Sequence, residues 1–252
     1  MGLTRIRDAD LDLSKLDLIG RIAWRKDPPR GRAEAAVRRL AIARCRRSAL
    51  GKMLRERVPP DADYFNVGHT NLSEDGQTQI KAALGRIVVL VHDTIPLDHP
   101  DYARPDTLAG FRSKMQAVTR HADLIVHTTQ DSRAKSEAQF ARLGRVPPGV
   151  VANLGVTPAQ PQPLGFTPKE PYFLCLGTIE PRKNHALLLD IWPELPDPKP
   201  HLYIVGGRGW ADDALMARLE SQAAEGYVHV LSGLEDGGVI TLMQGARALL
   251  FP

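Results

Sequence analysis

Eight short apolar runs punctuate the chain: YFNV from Tyr64, IVVLVH from Ile87, LIVHT from Leu124, VVANL from Val150, YFLCL from Tyr172, LYIV from Leu202, VHVL from Val228 and ALLF from Ala248. Their length and their richness in Val, Ile, Leu and aromatic residues suit buried strands. Between most of them apolar residues recur at helical spacing, over residues 105–121, 130–142, 184–192, 211–225 and 235–246. Strand and helix alternating in this rhythm predict an α/β fold with parallel sheets covered on both faces.

The rhythm breaks once. Residues 157–171 read TPAQPQPLGFTPKEP, with five prolines in fifteen residues, a composition that interrupts helix and central strand alike and behaves as a stiff, extended connector. The expected organisation is therefore an N-terminal Rossmann-like domain over 1–156, a linker over 157–171 and a C-terminal Rossmann-like domain over 172–252, the two halves facing each other across a cleft. The last run ends at Pro252, where a parallel sheet would deliver a further loop and helix, so the second half is expected to be incomplete, and so is the first, because residues 1–60 do not match the opening expected for such a fold.

Composition changes this picture little. With 43% hydrophobic residues the chain is globular, and the two cysteines, Cys45 and Cys175, stand far apart in apolar contexts, as reduced thiols do. The opening MGLTRIRDAD has no apolar leader core, and the longest aliphatic stretch, at 87–91, is too short to cross a bilayer, so the expected location is cytoplasmic. Charge adds one feature. Residues 1–60 hold 16 Lys or Arg against 7 Asp or Glu, and the rest hold 17 against 22. Within the basic part, Ala36, Val37, Leu40, Ala41, Leu50, Met53 and Leu54 fall near one face of a helix and the arginines mainly on the other. Such a helix suits an anionic membrane surface, nucleic acid, or simply solvent. The lack of interleaved aromatics argues against nucleic acid as a partner.

Candidate chemistry gathers at strand ends. YFLCL ends at Gly177, and Thr178 leads through IEP to Arg182, Lys183 and Asn184 just ahead of a helix, an arrangement able to offer backbone N–H groups and two cations to one anion. A diphosphate fits it, and so does a solvated basic turn in which Asn184 only caps the helix. LYIV continues into GGRGW with Gly206, Gly207 and Gly209, and VHVL into SGL with Gly233 and Leu234. Neither half carries the G-x-G-x-x-G of a dinucleotide fold after its first strand. In the first half, His69 follows YFNV, while His92 and Asp93 end IVVLVH; Thr128 and Thr129 hold a matching position and suit helix capping equally well. The strings Asp8–Asp10 and Asp61–Asp63 read DAD, but neither follows a convincing strand, and no metal site is expected.

LGTIEPRKNHALLL, LYIVGGRGW, VHVLSGLEDGGVITLMQGARALLFP, VHDTIPLDHPDY and VVANLGV, taken in order, resemble retaining glycosyltransferases of family 4 with the GT-B architecture, over about residues 64–252. The resemblance implies transfer of a hexose, with mannose from GDP-mannose the preferred reading, from a nucleotide-sugar to a glycan or lipid-linked acceptor in surface polysaccharide synthesis. It implies no cofactor beyond the donor substrate. Lys183 and Arg182 would neutralise the donor diphosphate, Arg182 standing in for an arginine that many relatives carry where this chain has Thr178. Gly177, Thr178, Gly206 and Gly207 would border the donor and Gly233 with Leu234 its base. His92 and Asp93 become the candidate catalytic pair, with His69 on the acceptor side. The acidic E-x7-E block that relatives carry after ALLFP is absent, which leaves a catalytically inactive nucleotide-binding or interaction remnant as the competing expectation.

Overall fold

Two four-stranded sheets organise the computed structural model, which describes residue 43, residues 45–104 and residues 106–252. Ala36, Val37, Leu40 and Ala41 of the expected basic helix, and Asp8 and Asp10, lie outside the described residues. By proximity the chain divides into two compact units, one reaching Leu90 and taking in Lys114–Ile125 and Arg145–Pro148, the other made of Val91–Ser113, Val126–Gly144 and Gly149–Pro252. The fold class is α/β with parallel sheets, as the alternation of runs predicts.

The first sheet has the order β1-β2-β3-β4, with β1 at Tyr64–Asn66, β2 at Ile87–Val91, β3 at Leu124–His127 and β4 at Gly149–Val151. Strand β2 is buried at Ile87, Val88, Val89 and Val91, as a strand covered on both faces must be. The described end of the basic segment forms α1, Leu50–Arg57. It is tied to α2, Glu74–Lys81, by Gln79, whose Oε1 accepts from the Gly51 N–H at 3.0 Å. Helix α2 was not foreseen, because EDGQTQIK is too short and polar to show periodicity. Its signal is Ser73, whose Oγ accepts from the Gly76 N–H, followed by Glu74 and Asp75 in the first turn. The short α3, Ile95–Asp98, follows β2; α4, Leu108–His121, and α5, Gln130–Arg142, bury Met115, Val118 and Phe140. The second DAD string supplies a surface ion pair instead of a metal ligand set. Asp63 binds Arg86 at 2.7 Å, and that hydrogen bond above all holds its carboxyl below the usual range.

The second sheet has the order β7-β6-β5-β8, all parallel, with β5 at Tyr172–Leu176, β6 at His201–Val205, β7 at Val228–Leu231 and β8 at Leu249–Leu250. The strand period of two splits its apolar residues between two cores. Cys175, Leu202 and Ile204 pack with Leu188 and Leu189 of α6, His185–Ile191, and with Leu219 of α7, Asp213–Ala224. Tyr172, Leu174, Tyr203 and Val205 pack with Leu242 of α8, Asp236–Gly245. The chain thus walks outward from β5 to β7 on one face, then returns across the other through α8 to set β8 on the opposite edge of β5.

Residues 157–171 carry neither helix nor strand, yet they are not simply strung out in solvent. Gln162 donates its backbone N–H to Gly237 O and to Thr241 Oγ1, each at 3.1 Å, and accepts from Thr241 Oγ1 at 2.7 Å. Leu164 packs into the core beneath α8, the Phe166 ring stacks on Tyr203, and the Lys169 N–H donates to the Tyr203 hydroxyl at 3.0 Å. The proline-rich stretch is a strap over the second sheet.

Gly237 is what lets the strap approach. A Cβ there would lie 2.7 Å from both Gln160 O and Gln162 Cγ, whereas one at Gly238 meets only ordinary contact with Leu164. Gly237→Ala is expected to cost about 1–3 kcal/mol in urea unfolding through overpacking. Gly238→Ala is expected to be neutral or stabilising, since alanine is the better helix former. Equal behaviour of the two variants would contradict the docked strap.

Candidate functional site

In open α/β sheets a crevice forms outside the carboxyl ends of the strands where the strand order reverses. In the second sheet that point lies between β5 and β8, and the residues gathered there begin with Gly177. Its φ of +132° is a conformation that favours glycine. The Gly177 N–H donates to Val205 O at 2.9 Å, the Ile179 N–H to Gly207 O at 3.0 Å and the Gly209 N–H to Ile179 O at 3.1 Å. The turns after β5 and β6 are therefore zipped together beyond the strands. The fit is so close that a Cβ on Gly206 would fall 1.9 Å from the Gly177 carbonyl oxygen. The Gly206 N–H in turn donates to Leu231 O at the end of β7, beyond which lie Gly233, with φ of +72°, and the half-buried Leu234.

After Gly177 the chain passes exposed Thr178 and buried Ile179 into a single 3-10 turn at Pro181–Lys183. Asn184 sits at the position before α6 in the left-handed region, φ 47° and ψ 39°, and its side chain makes no capping hydrogen bond. This turn folds the half-buried Lys183 side chain back over Gly177, with Cε 3.2 Å and Nζ 3.6 Å from where a Gly177 Cβ would stand. The ammonium lies over the Phe251 ring at 4.3 Å, in cation–π range, so the residue just past β8 flanks it on the other side. Arg182 turns instead to Glu180, at 2.5 Å, and an anion must compete with that carboxylate for its guanidinium.

The lysine charge is felt below. The buried His185 has its pKa held below the ordinary value by burial first and by Lys183 second. Glu180, through its backbone first and its charge second, pulls the other way. Burial pushes the Cys175 thiol up, and Lys183 opposes it.

The remaining candidates stand in the first sheet. His92 follows β2, and its carbonyl accepts from Thr128 Oγ1 at 3.2 Å. Asp93 is exposed, and its Oδ1 accepts from the Ile95 N–H at 3.1 Å, closing the turn that leads into α3. His69, at φ +53°, has Nε2 3.0 Å from Leu90 O. Thr129 caps α5, its Oγ1 accepting from the Ser132 N–H at 3.0 Å. Among the described residues no cluster of three or more His, Cys, Asp or Glu is arranged to hold a metal ion, and no helix is long and apolar enough to cross a membrane. Phe251 and Glu180 went unnoticed in the sequence. Glu180 had a signal, a carboxylate two residues before Arg182; Phe251 had none, because only sheet pairing brings it to Lys183.

Residues 156–252 match the family model described as Glycosyl transferases group 1. Among curated relatives, the serotype-specific mannosyltransferase WbdA of Escherichia coli is 25% identical over 192 residues, covering 68% of this chain and 24% of the relative. The O-antigen chain mannosyltransferase B of Escherichia coli is 27% identical over 188 residues, covering 67% and 47%. The chain thus spans between a quarter and a half of these relatives' length. Among solved structures, Anabaena Alr3699/HepE in complex with UDP-glucose superposes with a TM-score of 0.59 at 17% identity, covering 81% of this chain and 55% of that one. The apo lipopolysaccharide outer core galactosyltransferase WaaB gives 0.50 at 15% identity, covering 81% and 52%. The likeness extends the GT-B-type fold to most of the described chain.

His185 also sets an acid limit on stability. Because its folded pKa is depressed, the unfolded chain takes up the proton first. The stability present above about pH 6.5 is then lost as pH falls below it. His127, His201 and His229 are shifted the same way, mainly by burial, and add to the slope. His185→Leu is expected to leave stability at pH 7.5 equal or higher and to flatten the loss between pH 7 and 5, read from urea midpoints. A steeper loss would show that the imidazole is paired in solution.

Proposed function

We propose that the chain acts in glycosyl transfer from a nucleoside-diphosphate sugar, with the diphosphate held at the β5–β8 switch point by Lys183. The supporting observation is the ammonium held above Gly177 in the crevice, where the zipped turns leave backbone rather than side chains beside it. In the retaining reaction the bond between the anomeric carbon and the donor phosphate oxygen breaks and a glycosidic bond to an acceptor hydroxyl forms. Charge grows on the leaving diphosphate, where Lys183 stabilises it, and the hydroxyl proton passes to that phosphate. Arg182 joins if the anion draws it from Glu180. Thr178, Gly206 and Gly207 border the donor, with Gly233 and Leu234 toward its base.

On this reading residues 172–252 are the donor half and residues 1–156 the acceptor half, joined by 157–171, with His92 and Asp93 meeting sugar or acceptor and His69 beside the acceptor. The names of the Escherichia coli relatives favour mannose, hence GDP-mannose, and a glycan or lipid-linked acceptor in surface polysaccharide synthesis. The solved neighbour holding UDP-glucose makes the uridine donor the alternative to test. The basic excess of residues 1–60 suits peripheral contact with an anionic membrane on its cytoplasmic face.

Lys183→Ala is expected to weaken GDP or UDP binding about 10- to 100-fold, the worth of one charged hydrogen bond, with Lys183→Arg between. Calorimetry reads this, and nucleotide release from GDP-mannose and UDP-glucose reads turnover. Binding without release from either donor favours the inactive, nucleotide-binding alternative. No binding, or binding indifferent to Lys183→Ala, removes the proposed site.

A further inference from the structure

Asp98, the last residue of α3, has both carboxylate oxygens engaged within the fold. Oδ2 accepts from Thr94 Oγ1 and Oδ1 from Gln139 Nε2, each at 2.6 Å. Thr94 is 2% exposed and Gln139 7%, so both donors are shielded from water. Thr94 immediately follows His92 and Asp93, and its own carbonyl accepts from the N–H groups of Leu97 and Asp98 at 2.8 and 3.0 Å. The near end of the same turn is also fastened to α5. Thr128 Oγ1 donates to His92 O and lies 3.2 Å from Ser132 Oγ. Ser132 and Gln139 are two helical turns apart, about 10 Å along α5. The turn from His92 to Asp98 is thus anchored at both ends to one rigid element.

A turn that only had to be covered would be served by an apolar side chain at position 98. A carboxylate gripped on both oxygens by shielded donors fixes orientation as well, because ionic hydrogen bonds are short, strong and directional. Removing it would strand a hydroxyl and an amide without partners.

The geometry points to Asp98, with Gln139 and Thr94, as a positioning group that sets His92 and Asp93 for the transfer reaction. It acts through the turn and touches no substrate itself. This inference rests on the glycosyl-transfer reading, and no resemblance or sequence motif had marked these residues for that role.

The test compares Asp98→Leu, Gln139→Leu and Asp98→Asn in the full chain. Nucleotide release from GDP-mannose and UDP-glucose, GDP and UDP affinity, thermal midpoint, and amide exchange over residues 92–98 are measured. Both leucine variants are expected to slow turnover at saturating donor at least about tenfold, the scale of a misplaced reacting group. Donor KM and nucleotide affinity should stay within about twofold, since Lys183 is untouched, while exchange over 92–98 rises. Asp98→Asn should retain turnover within about threefold, because its amide oxygen can accept from Thr94 and its NH2 can donate to a turned Gln139 amide. Should Asp98→Leu fail to fold, Gln139→Leu, which keeps the carboxylate and its Thr94 bond, decides.

Leucine variants that fold and match wild-type turnover overturn the inference while leaving the donor site standing. So does an Asp98→Asn variant that falls as far as Asp98→Leu. A wild-type chain with no turnover on either donor removes the inference, and one that also binds neither nucleotide removes the donor-site reading with it.

Discussion

The close approach of Gly206 to the Gly177 carbonyl is the constraint on which the second sheet's carboxyl end depends. No side chain fits between them, so the turns after β5 and β6 zip together through backbone hydrogen bonds alone. Beyond those turns the chain makes the 3-10 turn at Pro181–Lys183, and Lys183 falls across Gly177 toward Phe251. The strand order supplies the rest. Because β8 returns to the free edge of β5, the strand order reverses where the lysine lies, and the proposed diphosphate site follows from topology as much as from charge.

This end of the sheet balances charge against burial. Lys183 disfavours the charged form of His185 beneath it, and burial does so more strongly, so a neutral ring packs under a cationic surface. Arg182 is tied to Glu180, which leaves Lys183 as the cation the geometry commits to the crevice. Along the other face, the strap contributes Leu164 to the core beneath α8 and lays Phe166 on Tyr203.

Much of this was legible in the sequence because it is local. All eight apolar runs are strands, and residues 130–142 form a helix with the bounds their periodicity gives. Gly177, Lys183 and Gly206 stood out because glycine after a strand and a basic pair before a helix have direct physical readings. The parts that escaped are short or non-local. Helix α2 has eight residues with Ile80 its one strongly apolar side chain, and α3 has four, too few for a period to show. Prolines announced that 157–171 would be neither helix nor central strand, but its docking depends on Gly237 and Thr241, some seventy residues further on. The same distance hid Phe251 from Lys183. Asn184 stands at the helix N-cap position as its sequence suggested, but in the left-handed region and without a side-chain capping bond.

Binding of a nucleoside diphosphate at the β5–β8 switch point against Lys183 is tested most directly by a crystal structure of the chain with GDP or UDP bound. Diphosphate oxygens are expected within hydrogen-bond distance of Lys183 Nζ, beside the Gly177 and Gly206 backbone. Nucleotide density elsewhere, with Lys183 still lying over the Phe251 ring, would contradict it.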